Sequence, residues 1–340
     1  MRSPGEYKRG HIPSAVNVPV FNDSERAEVG TIYKKESREA AILRALQIVE
    51  PKRSTFLLAV GEIALAKGET KKNDPEVFIH CWRGGFRSGR FADFLSENGF
   101  KVNVLLKGYK AYRNLIHNEF GKSWKLIVLG GFTGSGKTGI LEILSKRGHQ
   151  VINFEEIANH KGSAFGHLGQ EAQPTTEQFQ NNLWEKWKVM DPALPLVVED
   201  ESQAIGTVRI PDELFVQMRS CPVLKLEMSR HLRAKRLVQE YGSFDKNLLR
   251  ENILKISKRL GGDAVSKALE ALENGDLYTV GVTVLKYYDK AYSYGLSKRS
   301  PRSIFPLHLQ ECDTGKNALK AEEFLLNKNT LNGQFQAHTI

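Results

Sequence analysis

Two stretches of the chain carry residues whose types and spacing suit chemistry. The first is His80-Cys81-Trp82-Arg83-Gly84-Gly85-Phe86-Arg87-Ser88. A thiol at the head of a loop with two adjacent glycines sits where successive backbone N–H groups can turn inward, making an anion nest around the sulfur. Arg83 and Arg87 add positive charge, and a helix beginning near Ser88 adds its N-terminal dipole. All three effects favour thiolate over thiol and would make Cys81 nucleophilic at neutral pH. The second stretch, Gly131-Phe132-Thr133-Gly134-Ser135-Gly136-Lys137-Thr138, satisfies G-x-x-x-x-G-K-[ST] in full. Its glycines let the backbone approach a diphosphate, Lys137 supplies a point charge, and Thr138 can hold Mg²⁺. Glu199-Asp200, at the end of the apolar run Leu196-Val197-Val198, is a candidate acidic partner for that ion, with Asp200 the residue assigned to it. A phosphate loop binds a polyphosphate without saying which, and ATP is the default.

The elements needed to position these loops follow from the apolar pattern. Residues 10–19 read as a turn leading into a short apolar strand. Helices are predicted over 36–49, 55–67 and 91–98, with a buried strand over 77–80 and another strand over 102–106. That alternation is the signature of a parallel sheet with crossover helices. The pattern restarts near Trp124, with strands over 125–129, 151–154, 196–198 and 223–226 and a helix over 137–146. A basic, helical region then runs to about Tyr294. The expected organisation is α/β throughout, with domains at 1–118 and 124–312 and a polar tail over 313–340.

At 340 residues and 41% hydrophobic, the chain has material for about two folded domains. No apolar run reaches the roughly 18 residues of a membrane helix, and the N-terminus has no hydrophobic stretch of a secretory signal. Cys81, Cys221 and Cys312 are sparse and lack metal-ligand spacing, which argues against a disulfide framework or zinc site and for a cytoplasmic protein. Cys221 and Cys312 read as structural. The net charge of +10 is spread over both halves, fitting a phosphate-bearing partner such as nucleic acid. Arg230, Arg233, Lys235, Arg236, Lys255, Lys258 and Arg259 form a candidate surface for an RNA backbone. Tyr287, Tyr288, Tyr292 and Tyr294 are open between core packing and base stacking.

Gly10-His11-Ile12-Pro13-Ser14-Ala15-Val16-Asn17 and the Cys81 loop resemble the rhodanese family, with His11 structural in that turn. The loop also satisfies the cysteine-phosphatase pattern and is one residue longer than the usual rhodanese loop, so its length leaves phosphatase and selenium transfer open. Three further stretches, residues 158–166, Gln173-Pro174-Thr175 and 198–206, extend the likeness. With the rhodanese-like front and the phosphate loop, they resemble the tRNA 2-selenouridine synthase family over nearly the whole chain. The resemblance implies a rhodanese-like domain followed by a P-loop domain. It implies a transferase that geranylates the wobble 2-thiouridine of tRNA with geranyl diphosphate, then replaces the geranylthio group with selenium from selenophosphate.

On that view Cys81, Arg83 and Arg87 serve selenation. Gly131, Gly134, Ser135, Gly136, Lys137 and Thr138, joined by His160 and Ser163, serve the diphosphate. Thr138 and Asp200 serve Mg²⁺. Residues 160–166 could equally face the anticodon stem or be a plain connection. The implied partners are a tRNA anticodon stem-loop bearing 2-thiouridine and a selenophosphate synthetase, with no tightly bound cofactor and no membrane. Two departures stand out. The first strand of the rhodanese-like sheet is expected to be missing, because the chain starts at Met1-Arg2-Ser3, and Lys161 stands where an arginine is expected. A cysteine phosphatase fused to a nucleotide-binding domain, and a catalytically impaired tRNA-binding remnant, are the alternatives.

Overall fold

The computed structural model describes residues 1–66 and 75–327. The end of the helix expected over 55–67, at Lys67, and positions 328–340 of the expected tail lie outside them. The chain forms two units, Met1–Glu119 and Phe120–Ile340.

In the first unit four helices precede any strand: α1 (Pro4–Arg9), α2 (Asp23–Lys35), α3 (Arg38–Val49) and α4 (Arg53–Ala66). Asn22 and Ser37 start α2 and α3 by accepting the backbone N–H of Glu25 and Ala40. β1 (Glu76–Ile79) and β2 (Lys101–Val104) pair in parallel, joined through α5 (Phe86–Glu97), and α6 (Gly108–Phe120) follows. The core gathers Val20, Phe21, Ile48, Phe56, Phe91 and Leu95. Two expectations are corrected. Residues 15–18 form no strand, because their polar groups are used locally: Tyr7 Oη donates to Ala15 O, and Asn17 exchanges bonds with the backbone of Arg2. β1 is half-buried rather than buried, with Phe78 79% exposed. Among the described residues this sheet has two strands. His11 stacks on Tyr7 with ring centroids 3.8 Å apart, the structural role expected of it.

The second unit is built on a five-stranded, all-parallel sheet in the order β4-β5-β3-β8-β9. In chain order its strands are β3 (Leu126–Gly131), β4 (Gln150–Ile152), β5 (Leu196–Glu199), β8 (Val223–Met228) and β9 (Ile304–Leu309); β6 (Ala204–Ile205) and β7 (Val208–Arg209) form a separate small hairpin. Every residue of β3 and β5 is buried, as a central strand covered on both faces demands. α7 (Lys137–Lys146), α8 (Phe154–Ala158), α9 (Thr176–Trp187) and α10 (Asp212–Ser220) fall between the strands. α11 (Arg230–Tyr241), α12 (Lys246–Lys255), α13 (Ser257–Leu260), α14 (Gly262–Glu273) and α15 (Leu277–Leu296) make the helical region, with its own core around Leu249, Ile253, Leu272 and Val284.

The expected tail is corrected too. α16 (Thr314–Leu326) buries Ala318 and Ala321 in the same core as Ile140, Leu141 and Leu144 of α7. Among the described residues no helix is long and apolar enough to cross a membrane.

Candidate functional site

Cys81 follows β1 and is buried at the start of the loop that ends at the N-terminus of α5. The loop closes on the start of α6, where Tyr109 and Lys110 donate backbone N–H to the carbonyls of Cys81 and Trp82. That approach requires glycine twice. A Cβ on Gly84 (φ +61°) would lie 2.6 Å from Gly108 N, and one on Gly108 (φ +60°) would strike Gly84 N and Cys81 O. Burial by itself would raise the thiol pKa. The Ser88 hydroxyl, with Oγ 3.4 Å from Sγ, and the backbone N–H groups of Gly85, Arg83 and Ser88 outweigh it, and the net direction is down.

The anion nest is therefore formed, but the arginines act differently from expectation. Arg83 is exposed and contributes through its backbone, while Arg87 faces Glu6 at 3.7 Å, and Glu6 is also held by Arg26 at 2.8 Å. By contrast burial pushes the Cys221 thiol up to about 11, consistent with an inert residue.

The phosphate loop spans the end of β3 and the start of α7, outside the carboxyl ends of parallel strands where such folds bind ligands. Gly136 caps α7 in the left-handed region (φ 84°), with the Arg236 guanidinium packed so closely that a Cβ would lie 2.8 Å from its Cζ. Lys137 Nζ reaches Gly131 O at 3.4 Å. Burial opposes its charge, but Glu199, Glu155, Glu201 and Asp200 more than compensate and raise its pKa. Ser135 is corrected as a ligand contact: it is buried with its hydroxyl beneath the loop against Gly131, and its N–H is spent on Phe132 O.

The acidic partner is also corrected. Both oxygens of Asp200 are occupied, Oδ1 by Arg299 at 2.8 Å and Oδ2 by the Tyr292 hydroxyl at 2.9 Å. Tyr292 Oη in turn accepts the Gly131 N–H at 2.8 Å, so this network pins the first residue of the phosphate loop. The carboxylates able to hold a cation are Glu155, Glu199 and Glu201, whose ligand atoms lie within 4.8 Å of one another. Thr138 Oγ1 donates to Glu155 at 3.1 Å. Glu199 is fully buried with neither carboxylate oxygen hydrogen-bonded. Burial and then Glu155 push its pKa up; burial and then Glu199 do the same for Glu201.

The phosphate loop, Glu155, Asp200 and Glu201 open on one cavity of about 810 Å³, while Glu199 lies outside its lining. Lys137, Thr138, Lys161, Ser163 and Arg236 are among its polar lining residues. Phe165, Leu237, Leu249, Leu277, Val280 and Val284 are among its apolar ones. Ser163 lines the cavity, whereas His160 does not. His160 is buried behind the cavity against Gly166 and Gly206, and burial lowers its pKa. Lys161, the position where an arginine is expected, also lines the cavity, and Arg236, Glu155 and Glu201 are cavity residues that motif reading did not place there.

The basic surface loses members for the same reason. Arg233 is buried in a bidentate pair with Asp289, at 2.8 and 2.9 Å, and donates to Thr133 O of the loop. Arg230 also pairs with Asp289, Arg236 is tied to Thr314 and Cys312 O, and Lys235, Lys255, Lys258 and Arg259 remain exposed. Of the tyrosines, Tyr288 and Tyr292 line the cavity, while Tyr294 is exposed.

Comparison with known proteins gives the family. The family model for the tRNA 2-selenouridine synthase AAA domain matches residues 124–320, and that for the rhodanese-like domain matches residues 1–115. A tRNA 2-selenouridine synthase of Psychromonas ingrahamii is 31% identical, the match covering 92% of this chain and 91% of that protein. One from Bdellovibrio bacteriovorus is 32% identical, with 90% of each chain covered.

Proposed function

The chain belongs to the tRNA 2-selenouridine synthase family and is an enzyme of tRNA modification, and from that premise we propose that it works in two steps. In the first, the thiocarbonyl sulfur of a wobble 2-thiouridine attacks the allylic carbon of geranyl diphosphate. The C–O bond to the diphosphate breaks, and the ring nitrogen gives up its proton. In the second, the selenium of selenophosphate attacks C2, the C2–S bond breaks and geranylthiol leaves with a proton, and water cleaves the Se–P bond to release phosphate. Alkylation matters because sulfur leaves poorly as a thiocarbonyl and well as a neutral thiol.

The observation that carries this reading is the cavity whose lining includes both the phosphate loop and a set of apolar side chains. A prenyl diphosphate has that same division of polarity. Lys137 and the loop backbone would neutralise the departing diphosphate, with Arg236 and Lys161 as further cations on the cavity. The buried, unpartnered carboxylate of Glu199 beside Glu155, Glu201 and the Thr138 hydroxyl fits a hard divalent cation such as Mg²⁺. When bound it supplies charge for the leaving group. Cys81 serves selenation by orienting selenophosphate in a loop whose N–H groups favour an anion, with no bond from sulfur to selenium. We place the reaction in the cytoplasm, with selenophosphate supplied by a selenophosphate synthetase.

The test is nucleoside mass spectrometry of a thiolated anticodon stem-loop incubated with geranyl diphosphate, with and without selenophosphate. Lys137→Ala should lose the geranylated nucleoside. Cys81→Ser should accumulate it and make no selenouridine. Intact geranylation in Lys137→Ala, or loss of both products in Cys81→Ser, would overturn this division of labour.

A further inference from the structure

β1 and β2 run parallel, so their carboxyl ends share one edge, and the chain leaves each strand there through a loop. Residues 81–85 follow β1 and residues 105–107 follow β2. The two loops touch, since a Cβ on Gly84 would lie 2.7 Å from Leu105 O and 2.8 Å from Lys107 N. Their charge has one sign. Arg83, Arg90, Lys107 and Lys110 are exposed, and among the described residues none of the four pairs with a carboxylate. No Asp or Glu occurs over 77–92 or 98–118. Lys107 even holds the left-handed conformation (φ 58°), so a cation stands at a strained backbone position beside the thiol loop. An aromatic ring is exposed here as well. The Arg2 guanidinium covers the rings of Tyr109 at 4.2 Å and Trp82 at 5.2 Å, but Phe86 is 43% exposed, with Arg90 5.5 Å from its ring centre. Phe86 directly follows Gly85, whose N–H faces the Cys81 sulfur. A free ring among unpaired cations is what unpaired nucleotides bind: bases stack on the ring and phosphates take the charges.

Resting on the reading that the wobble base is selenated at Cys81, we propose that these two loops dock the unpaired anticodon loop of the tRNA. Phe86 stacks on one of its bases, and Lys107 and Lys110 take flanking phosphates. A protein partner would have to bring an acidic face to this surface, whereas an RNA loop carries that charge on its own backbone. With the polyanion held by the exposed cations, the small nest around the sulfur stays free for selenophosphate.

The test measures binding of a 2-thiouridine anticodon stem-loop to the full chain by fluorescence anisotropy, with a blunt duplex of the same stem as control. Phe86→Ala should weaken stem-loop binding by about tenfold or more, Phe86→Trp should restore it, and duplex binding should not change. Lys107→Gln with Lys110→Gln should lower the slope of log affinity against log salt by about 1.4. The pH midpoint of Cys81 alkylation should stay in place in Phe86→Ala; a shifted midpoint would assign Phe86 to loop structure and overturn the stacking. Native stem-loop affinity in a folded Phe86→Ala protein, or an equal loss for stem-loop and duplex, would overturn the inference and leave the role of Cys81 standing. Should Phe86→Ala fail to fold, the lysine pair decides alone, and an unchanged slope there overturns the inference and gives the surface to a protein partner. Selenouridine formed by Cys81→Ser would instead overturn the reading beneath it, and the inference with it.

Discussion

Tyr292→Phe removes one oxygen and keeps the ring that meets Phe132 edge-on at 5.2 Å, so it isolates the hydroxyl that ties the phosphate loop to Asp200. Two buried groups lose a partner. The Gly131 N–H is left without its 2.8 Å acceptor, a cost of about 1–3 kcal/mol, and the Asp200 carboxylate loses a 2.9 Å donor, a charged bond worth about 1.5–3 kcal/mol. Arg299 still pairs with Asp200, so the charge itself stays compensated, and a total near 3 kcal/mol is expected. Burial pushes the Tyr292 pKa up, so the hydroxyl remains a donor through the whole working pH range. Urea unfolding followed by fluorescence reads this directly, because Trp124, Trp184 and Trp187 lie in the second unit. With a slope of about 3 kcal/mol per molar, the midpoint should fall by about 1 M. A fall below roughly 0.2 M would refute the view that this network holds the loop.

Alkylation of Cys81 should be fast at a pH below the ordinary thiol range, since its thiolate form is favoured. Ser88→Ala should move the alkylation midpoint to higher pH, with Cys221 unreactive in the same digest. Mg²⁺ should raise the melting temperature, more weakly as pH falls and the carboxylates hold protons, and Glu199→Gln should abolish the increase in differential scanning calorimetry. Affinity for tRNA should fall steeply between about 50 and 200 mM salt. Lys235→Glu with Lys258→Glu should weaken it further in filter binding, and a flat salt response would remove the basic surface from consideration.

The phosphate loop was legible because eight consecutive residues carry it, with a strand before and a helix after. Its surroundings were not, because Glu155, Glu199, Arg236 and Tyr292 meet only through the fold. The exchange of Asp200 for Glu199 shows the limit clearly. Successive residues at a strand end point to opposite sides, and no spacing in the sequence tells which side faces the loop. Arg233 and Arg236 illustrate the same limit on a helix. Their spacing of three does place them on one face, but that face turns inward, where an aspartate 56 residues away and the phosphate loop itself neutralise or use the charge. β9 escaped notice because Pro306 and His308 interrupt its apolar run. An edge strand tolerates both, and among the described residues β9 pairs with β8 alone.

The two anion sites therefore differ in how they bear charge. The Cys81 loop relies on a nearby hydroxyl and backbone N–H groups, with the Arg87 charge already answered by Glu6, so it suits an anion of small charge held close to the sulfur. The phosphate loop holds one lysine against several buried carboxylates. A diphosphate can enter only if protons or a cation first cancel part of that negative charge. Arg236 and Lys161 lie on the cavity for the same reason: with Lys137 engaged by glutamates, further positive charge must come from outside the motif. The sequence pattern identifies where phosphate binds, while the balance of charges around it is set by residues brought from distant parts of the unit.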